Sequence, residues 1–447
     1  MKRKDFLTKA LLVGGALTIG SSCGRRIVSE INGDTQSLSA TNGEECVLEP
    51  QRKILILAKA DVVVVGGGPS GVAAAISAAR AGANTYLVER YNHLGGLWTG
   101  GLVLPLLSTH AVNKDGKTIK VIHGIGGEVS ERLRKMDMTI KEINPTIDAE
   151  AAKYVLDEMI AEAGVKMVYH ALGTQVIMDG NTIKGVFIES KSGRQALLGK
   201  VVIDCTGDGD IFHFAGEKYD EMLYHIGLVH RLGNTDRINT KATGYKEMGV
   251  GEPTPIKGVN WVNMHGEDEQ CATDVMNLTR LQMKYRKEIW ENTQKVRATP
   301  GYEDIFLLET APQIGTRASR IVEGEYCLTL EDSMTYKNFG NDAIGVSGAW
   351  TTMVYNGRRV AAANRPYWQI PLKSLIPKTT DGLIVAGRCF SFERALVEDT
   401  RVIGTCLITG HGAGAAAALA AQSGERPRDI DREKLQKILK DQNVWMG

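Results

Sequence analysis

What the 447-residue sequence lacks narrows its chemistry first. Seven cysteines (Cys23, Cys46, Cys205, Cys271, Cys327, Cys389, Cys406) are scattered without one CxxC pair, and no Cys/His cluster stands at metal-ligand spacing. This argues against a redox-active dithiol or a cysteine-ligated iron–sulfur cluster, and no metal site is expected. A charge excess is missing too. Lys+Arg 53 against Asp+Glu 52 leaves +1 at pH 7, so no global field draws nucleic acid or an anionic membrane. With 43% hydrophobic and 23% charged residues, the chain is neither disordered, collagenous nor a multi-span membrane protein. A small molecule is the default partner. Glycine, at 50 residues, is in excess, which marks many sharp turns or close approaches to a ligand.

The N-terminus is organised as an address label. Met1-Lys2-Arg3-Lys4 is basic, Ala10 to Gly20 is mostly apolar, and Gly20-Ser21-Ser22 are small residues before Cys23. The apolar run is about half the ~20 residues that span a bilayer, so residues 1–23 are expected to be an export signal. Arg3-Lys4-Asp5-Phe6-Leu7 is similar to a twin-arginine signal, and Cys23 stands where a lipoprotein would carry its anchor, although Gly20 departs from the usual aliphatic residue. A periplasmic or membrane-anchored location follows, the alternative being an amphipathic helix on a cytoplasmic protein. Residues 24–55, rich in Ser, Thr, Asn and Gly, are expected to be a linker.

The folded part opens with a continuous β-branched run, Asp61 to Val65, of the kind buried on both faces of a parallel sheet. It leads into Gly66-Gly67-Gly68-Pro69-Ser70-Gly71 and an Ala-rich helical stretch, Val72 to Ala81; Tyr86-Leu87-Val88 then forms a second strand closed by Glu89. Strand, GxGxxG, helix, strand and acid is the dinucleotide-binding arrangement. Gly66 permits the turn, Gly68 admits a pyrophosphate, and Gly71 lets helix and strand pack. Free N–H groups at the helix start face the anion, and Glu89 accepts from a ribose. FAD and NAD both satisfy this unit alone.

Further glycine-bearing segments follow: His93 to Gly101, Val201 to Asp210, Gly382 to Arg388, and Gly410-His411-Gly412-Ala413-Gly414 before an Ala-rich helix, Ala415 to Ala421. Several glycine-terminated strands suit one long ligand across the carboxyl edge of a sheet. The last segment reads as a second glycine-opened helix whose positive end suits negative charge on a reduced flavin. In VVVVGGGPSGVAAAISAARAG, VERYNHLGGLWTGGLV, VVIDCTGDGDI, GLIVAGRCFS and TRVIGTCLITGHGAGAAAALAA the chain resembles FAD-dependent oxidoreductases with a glutathione-reductase-type flavin domain, relatives of the succinate dehydrogenase and fumarate reductase flavoproteins. The resemblance runs from Val62 to Ala421, about four-fifths of the chain. It implies FAD contacts at Gly66, Gly68, Gly71, Glu89, Gly96, Thr206, Gly207, Asp208, Gly387, Arg388, Gly412 and Gly414. No histidine matches the covalent flavin attachment of the succinate dehydrogenase relatives, so non-covalent FAD is expected.

The fold expected is α/β: a Rossmann-like FAD-binding domain of glutathione-reductase type, residues 56–216 and 375–447, with an inserted α+β cap domain, 217–374, holding substrate. Arg317 and Arg320, three apart, are expected to share a helix face and grip a carboxylate, with Arg401 as a further cation and His411 as a residue that tunes the flavin. Pairing with Glu323, Glu325 or Glu398 is the plainer reading of the arginines. His110, His123, His225 and His230 are weaker proton-acceptor candidates. The function expected is hydride exchange between a small substrate and flavin, with an unknown electron acceptor. A dinucleotide enzyme with no net redox change and a flavin-holding electron carrier are the rivals.

Overall fold

The computed structural model describes residues 39–41, 44–47 and 49–447. The expected export signal at 1–23, Cys23 and the first part of the linker lie outside the described residues. Within the linker, Ser39–Thr41 pairs antiparallel with Glu44–Cys46. Residues 54–447 form one compact unit, and everything below concerns that unit.

The chain enters it along β1 (Leu55–Val65) and turns into α1 (Pro69–Arg80) and β2 (Thr85–Val88). Helix α2 (Ala149–Glu162), N-capped by the Asp148 carboxylate accepting from Ala151 N–H, leads to β3 (Lys166–Val168). A meander of β4 (Leu172–Asp179), β5 (Thr182–Ser190) and β6 (Gly193–Asp204) follows. The next segment carries β7 (Tyr224–Gly227), β8 (Glu267–Gln270), α3 (Val275–Arg297) and β9 (Gly315–Thr316). The chain returns through β10 (Leu383–Val385) and ends its core with α4 (Ile403–Ser423).

The main sheet has the order β4-β5-β6-β1-β2-β3, with β10 added parallel to the end of β6. Its parallel part runs β10, β6, β1, β2, β3, and its antiparallel part is the meander. β1 is longer than the hydrophobic run predicts. Residues 55–60 pair only with β6 and stay largely exposed, whereas Val62 to Val65 sit between β6 and β2 and are buried. Pro69 at the first helical position presets φ for α1, and its alanines at 73, 74, 75 and 78 are fully buried. In the intervening segment, β7 lies between β8 and β9, and a second, four-stranded sheet contains Val259–Val262, His230–Gly233 and Phe306–Thr310.

α4 departs from the sequence expectation. The Gly410–Gly414 run does not open a helix; it lies in the middle of one that begins at Ile403, and Ile403 to Ala421 are all buried. The helix is long and apolar enough to cross a bilayer, yet it is a core element here. Its glycines are packing residues. A Cβ on Gly410 would lie 2.0 Å from the Ser70 carbonyl oxygen, and one on Gly414 2.2 Å from that of Ala74, so α4 rests backbone on backbone against α1. Gly412 faces the opposite side, where a Cβ would lie 2.5 Å from Ile344. Gly414→Val should therefore destabilise the protein by about 3 kcal/mol or more, since backbone cannot yield as a side chain does. Urea unfolding of the apoprotein measures this, and an unchanged midpoint would refute the backbone contact.

Candidate functional site

A cavity of about 420 Å³ lies along the carboxyl edge of the parallel strands, where an open α/β sheet binds ligands. It begins at Gly66 and Gly68, passes Glu89, Arg90 and Gly96, crosses Thr206, Gly207, Asp208 and Asp210, and continues by Gly387 and Arg388 to Arg401, Ile403 and Cys406. The strand ends explain that sequence. β1, β2, β6 and β10 finish in register, at Val65, Val88, Asp204 and Val385.

The glycines divide by role. Gly66 has φ +100, and a Cβ there would lie 2.4 Å from the Cys205 carbonyl oxygen, so it makes the turn. A Cβ on Gly71 would lie 1.7 Å from the Gly66 carbonyl oxygen, which places it in helix–strand packing. Gly68 has nothing within 4 Å of a built Cβ and an ordinary φ of −67. Only a ligand in the cavity requires glycine there. Helix α1 has no side-chain N-cap, so its first N–H groups remain for an anion. Glu89 is buried and accepts from Gly67 N–H at 2.6 Å and Tyr91 N–H at 2.8 Å. A carboxylate has about four acceptor sites, which leaves capacity for ribose hydroxyls. This donor and acceptor set fits the adenosine pyrophosphate of a dinucleotide.

Asp204 shapes the next stretch and was not legible as a site residue. Fully buried, it accepts from Thr206 N–H and Oγ1–H and from the Ile211 and Phe212 N–H groups, which ties Thr206–Gly209 into a fixed loop. Arg388 clamps that loop from β10: it donates to the Gly207 carbonyl at 3.1 Å, the Asp208 carboxylate at 2.5 Å and the Thr316 carbonyl at 2.8 Å. Arg320 donates to the Asp208 carbonyl and to the Asp210 carboxylate at 3.2 Å. Burial, followed by Asp208 and Asp204, pushes the Asp210 carboxyl up to about 6.

The expected helix face shared by Arg317 and Arg320 does not exist. Arg317 follows β9 and Arg320 opens the strand Arg320–Val322, so they diverge. Arg320 turns to the Asp208–Asp210 loop. Arg317 turns to Asn263 Oδ1, at 3.1 Å, and toward Arg401. Arg401 pairs with Glu398, which also accepts from Tyr224 Oη–H at 2.5 Å. Burial, with the added repulsion of Arg401, lowers Arg317 to about 10. Glu398 thus pairs with Arg401 and acts on Arg317 only electrostatically, from further off; Arg401 lines the cavity and Arg317 does not.

His411 is the clearest displacement. It lies off the cavity, buried, with Nδ1 accepting from Ile125 N–H at 3.4 Å and Nε2 at 2.7 Å from Gln442 Oε1. That pattern sets the neutral Nε2–H tautomer. Gly412 and Gly414 are absent from the cavity lining as well, for the packing reasons given above. The helix N-terminus the sequence assigned to Gly410–Gly414 exists, but at Val402–Ile403, and Ile403 does line the cavity. Gln313, not singled out from sequence, also lines it, held by its Nε2 3.0 Å from His93 Nε2.

A family profile described as FAD dependent oxidoreductase matches residues 61–222 and 229–439, and the chain belongs to that family, whose cofactor is FAD. Curated relatives include thiamine thiazole synthases: that of Metallosphaera sedula is 29% identical over 173 residues, 36% of this chain and 59% of its own. That of Saccharolobus solfataricus is 30% identical over 178 residues, 37% of this chain and 61% of its own. The chain thus spans about three-fifths of the length of the curated relatives it matches. A solved structure of a geranylgeranyl bacteriochlorophyll reductase-like protein from Thermoplasma acidophilum is similar at 15% identity and TM-score 0.43, over 86% of this chain and 83% of that one.

Two outcomes follow. Gly68→Val should leave the apoprotein folded with a melting temperature close to the parent's, because no protein atom lies within 4 Å of the new Cβ, yet purify without yellow colour; a yellow variant at full occupancy would refute the placement of the loop. His411, held near 4 by burial, refuses a proton that the unfolded chain accepts from about pH 6.5 downward. Stability is therefore lost on acidification between pH 6.5 and 4, by up to about 3 kcal/mol from this residue. His411→Gln should flatten that limb of the pH–stability curve in chemical unfolding.

Proposed function

We propose that this chain is an FAD-dependent enzyme exchanging a hydride between the flavin N5 and a small organic substrate that carries an anionic group. The bound flavin supplies the hydride-accepting chemistry, and the protein supplies orientation and charge. The observation that carries this reading is the charge balance at the Arg401 end: Glu398 pairs with Arg401, while the half-buried Arg317 nearby donates only to Asn263 and the Met264 carbonyl. A substrate carboxylate would balance it with charge-assisted hydrogen bonds. Val402–Ile403, an uncapped helix start beside them, offers further N–H donors toward the same end. Non-covalent flavin, an export signal at 1–23 and a lipid anchor at Cys23 complete the proposal.

A second reading is favoured by the curated relatives, which are named synthases: a dinucleotide-dependent conversion with no net oxidation. Anaerobic mixing with candidate carboxylic acids separates the two. Bleaching of the flavin that persists until an acceptor is added supports hydride exchange, whereas turnover without any acceptor supports the synthase reading. Arg317→Met and Arg401→Met should each lower the second-order rate of flavin reduction by about tenfold to a hundredfold with FAD content unchanged. Unchanged rates would remove the two arginines from substrate binding.

A further inference from the structure

β7 and β8 bring together three side chains that sequence spacing keeps apart. His225 lies on β7, His265 in the turn before β8, and Asp268 on β8. The turn is pressed onto β7: Gly266 has φ +79, and a Cβ there would lie 1.7 Å from the Ile226 carbonyl oxygen. The ladder slips at the same place. Tyr224 pairs with Gln270 and Ile226 with Glu267, so Asp268 and Glu269 together stand opposite the single residue His225. A bulge of this kind re-aims side chains. Here the His225 and His265 rings come to 4.0 Å between centroids, and His265 Nε2 lies 2.8 Å from Asp268 Oδ1.

One ligand atom from each of the three side chains, a ring nitrogen or a carboxylate oxygen, lies within 4.8 Å of the other two. Ligands of a tetrahedral zinc ion, with bonds of about 2.0–2.1 Å, stand roughly 3.4 Å apart. His265 and Asp268 are 64% and 73% exposed, which leaves room for side-chain torsion to close the gap. The rings are stacked at 19°, and an ion lies in the plane of each imidazole it binds, so binding turns His265 out of the stack. Two imidazoles and one carboxylate suit zinc or a neighbouring transition ion rather than calcium or magnesium, which take oxygen ligands.

We propose that His225, His265 and Asp268 form a zinc-binding site on the face of the β7–β8 pair. Three protein ligands leave one or more coordination positions to water. The site goes beyond the proposed hydride exchange and does not depend on it. It does have a route to that chemistry: Asn263 Oδ1 and the Met264 carbonyl, which accept from Arg317, immediately precede His265, so an ion at the turn fixes the backbone that holds Arg317.

Isothermal titration of zinc chloride into the FAD-loaded full-length protein tests this. One ion per chain is expected, with affinity reduced by more than about tenfold in His265→Ala and in Asp268→Asn. Both side chains are exposed, so their loss leaves the fold intact, which flavin absorbance and circular dichroism verify. His225→Ala serves as the third variant and should lose the site as well. No zinc binding by the parent protein, or binding that survives all three substitutions unchanged, would overturn the proposal.

Discussion

The approach of two helix backbones sets the geometry of the whole cofactor cradle. Gly410 and Gly414, one turn apart on α4, meet the carbonyls of Ser70 and Ala74, one turn apart on α1. No side chain intervenes, so the relative position of the helices is fixed by hard contacts rather than by interdigitating rotamers that could relax. α1 is the helix whose uncapped N-terminus faces the cavity. The contact therefore decides where its free N–H groups point. Thr409, beside Gly410, accepts from Gly387 N–H at 3.0 Å, and a Cβ on Gly387 would lie 2.6 Å from Ser70 Oγ. The end of β10, the start of α1 and the middle of α4 are thus locked to each other around one point.

The first half of this arrangement was legible because its parts are local. A β-branched run, a glycine turn, a helix and an acid at the next strand end each have one physical use, and all sit within about thirty residues. Glu89, Gly66 and Gly68 all line the cavity at the strand ends. The second half was misread for a reason glycine itself supplies. A run such as Gly410–Gly414 is equally suited to a turn opening a helix and to close packing inside one, and only the partner surface on α1 distinguishes them. His411 was drawn into the same misreading. Arg317 and Arg320 failed differently: spacing by three suggests a shared face only if the backbone is helical, and here it is extended. Asp204 and the His225–His265–Asp268 group depend on pairings across a fold, which no local pattern encodes.

Charge is handled in two separate ways along the cavity. Around the Thr206–Gly209 loop, Arg388 and Arg320 are matched by Asp208 and Asp210, so those cations are spent on holding the loop. At the Arg401 end Glu398 is taken up by Arg401, and Arg317 bonds only to neutral groups, Asn263 and the Met264 carbonyl. Nearby, the fully buried pair of Arg365 and Asp399, 2.5 Å apart, anchors the turn just before Arg401, with Asp399 also accepting from Trp350 N–H. Losing either partner would strand a charge in the interior and displace Arg401 with it.

The placement of β10 and α4 has a consequence for how the protein comes into being. The nucleotide-binding unit starts at Leu55, yet its sheet is completed by Leu383–Val385 and its central helix by Ile403–Ser423. During synthesis the glycine turn, α1 and β2 emerge long before the helix they rest on. The ribosome must deliver α4 before the cradle can close, so a nascent chain stalled short of α4 leaves the apolar face of α1 uncovered.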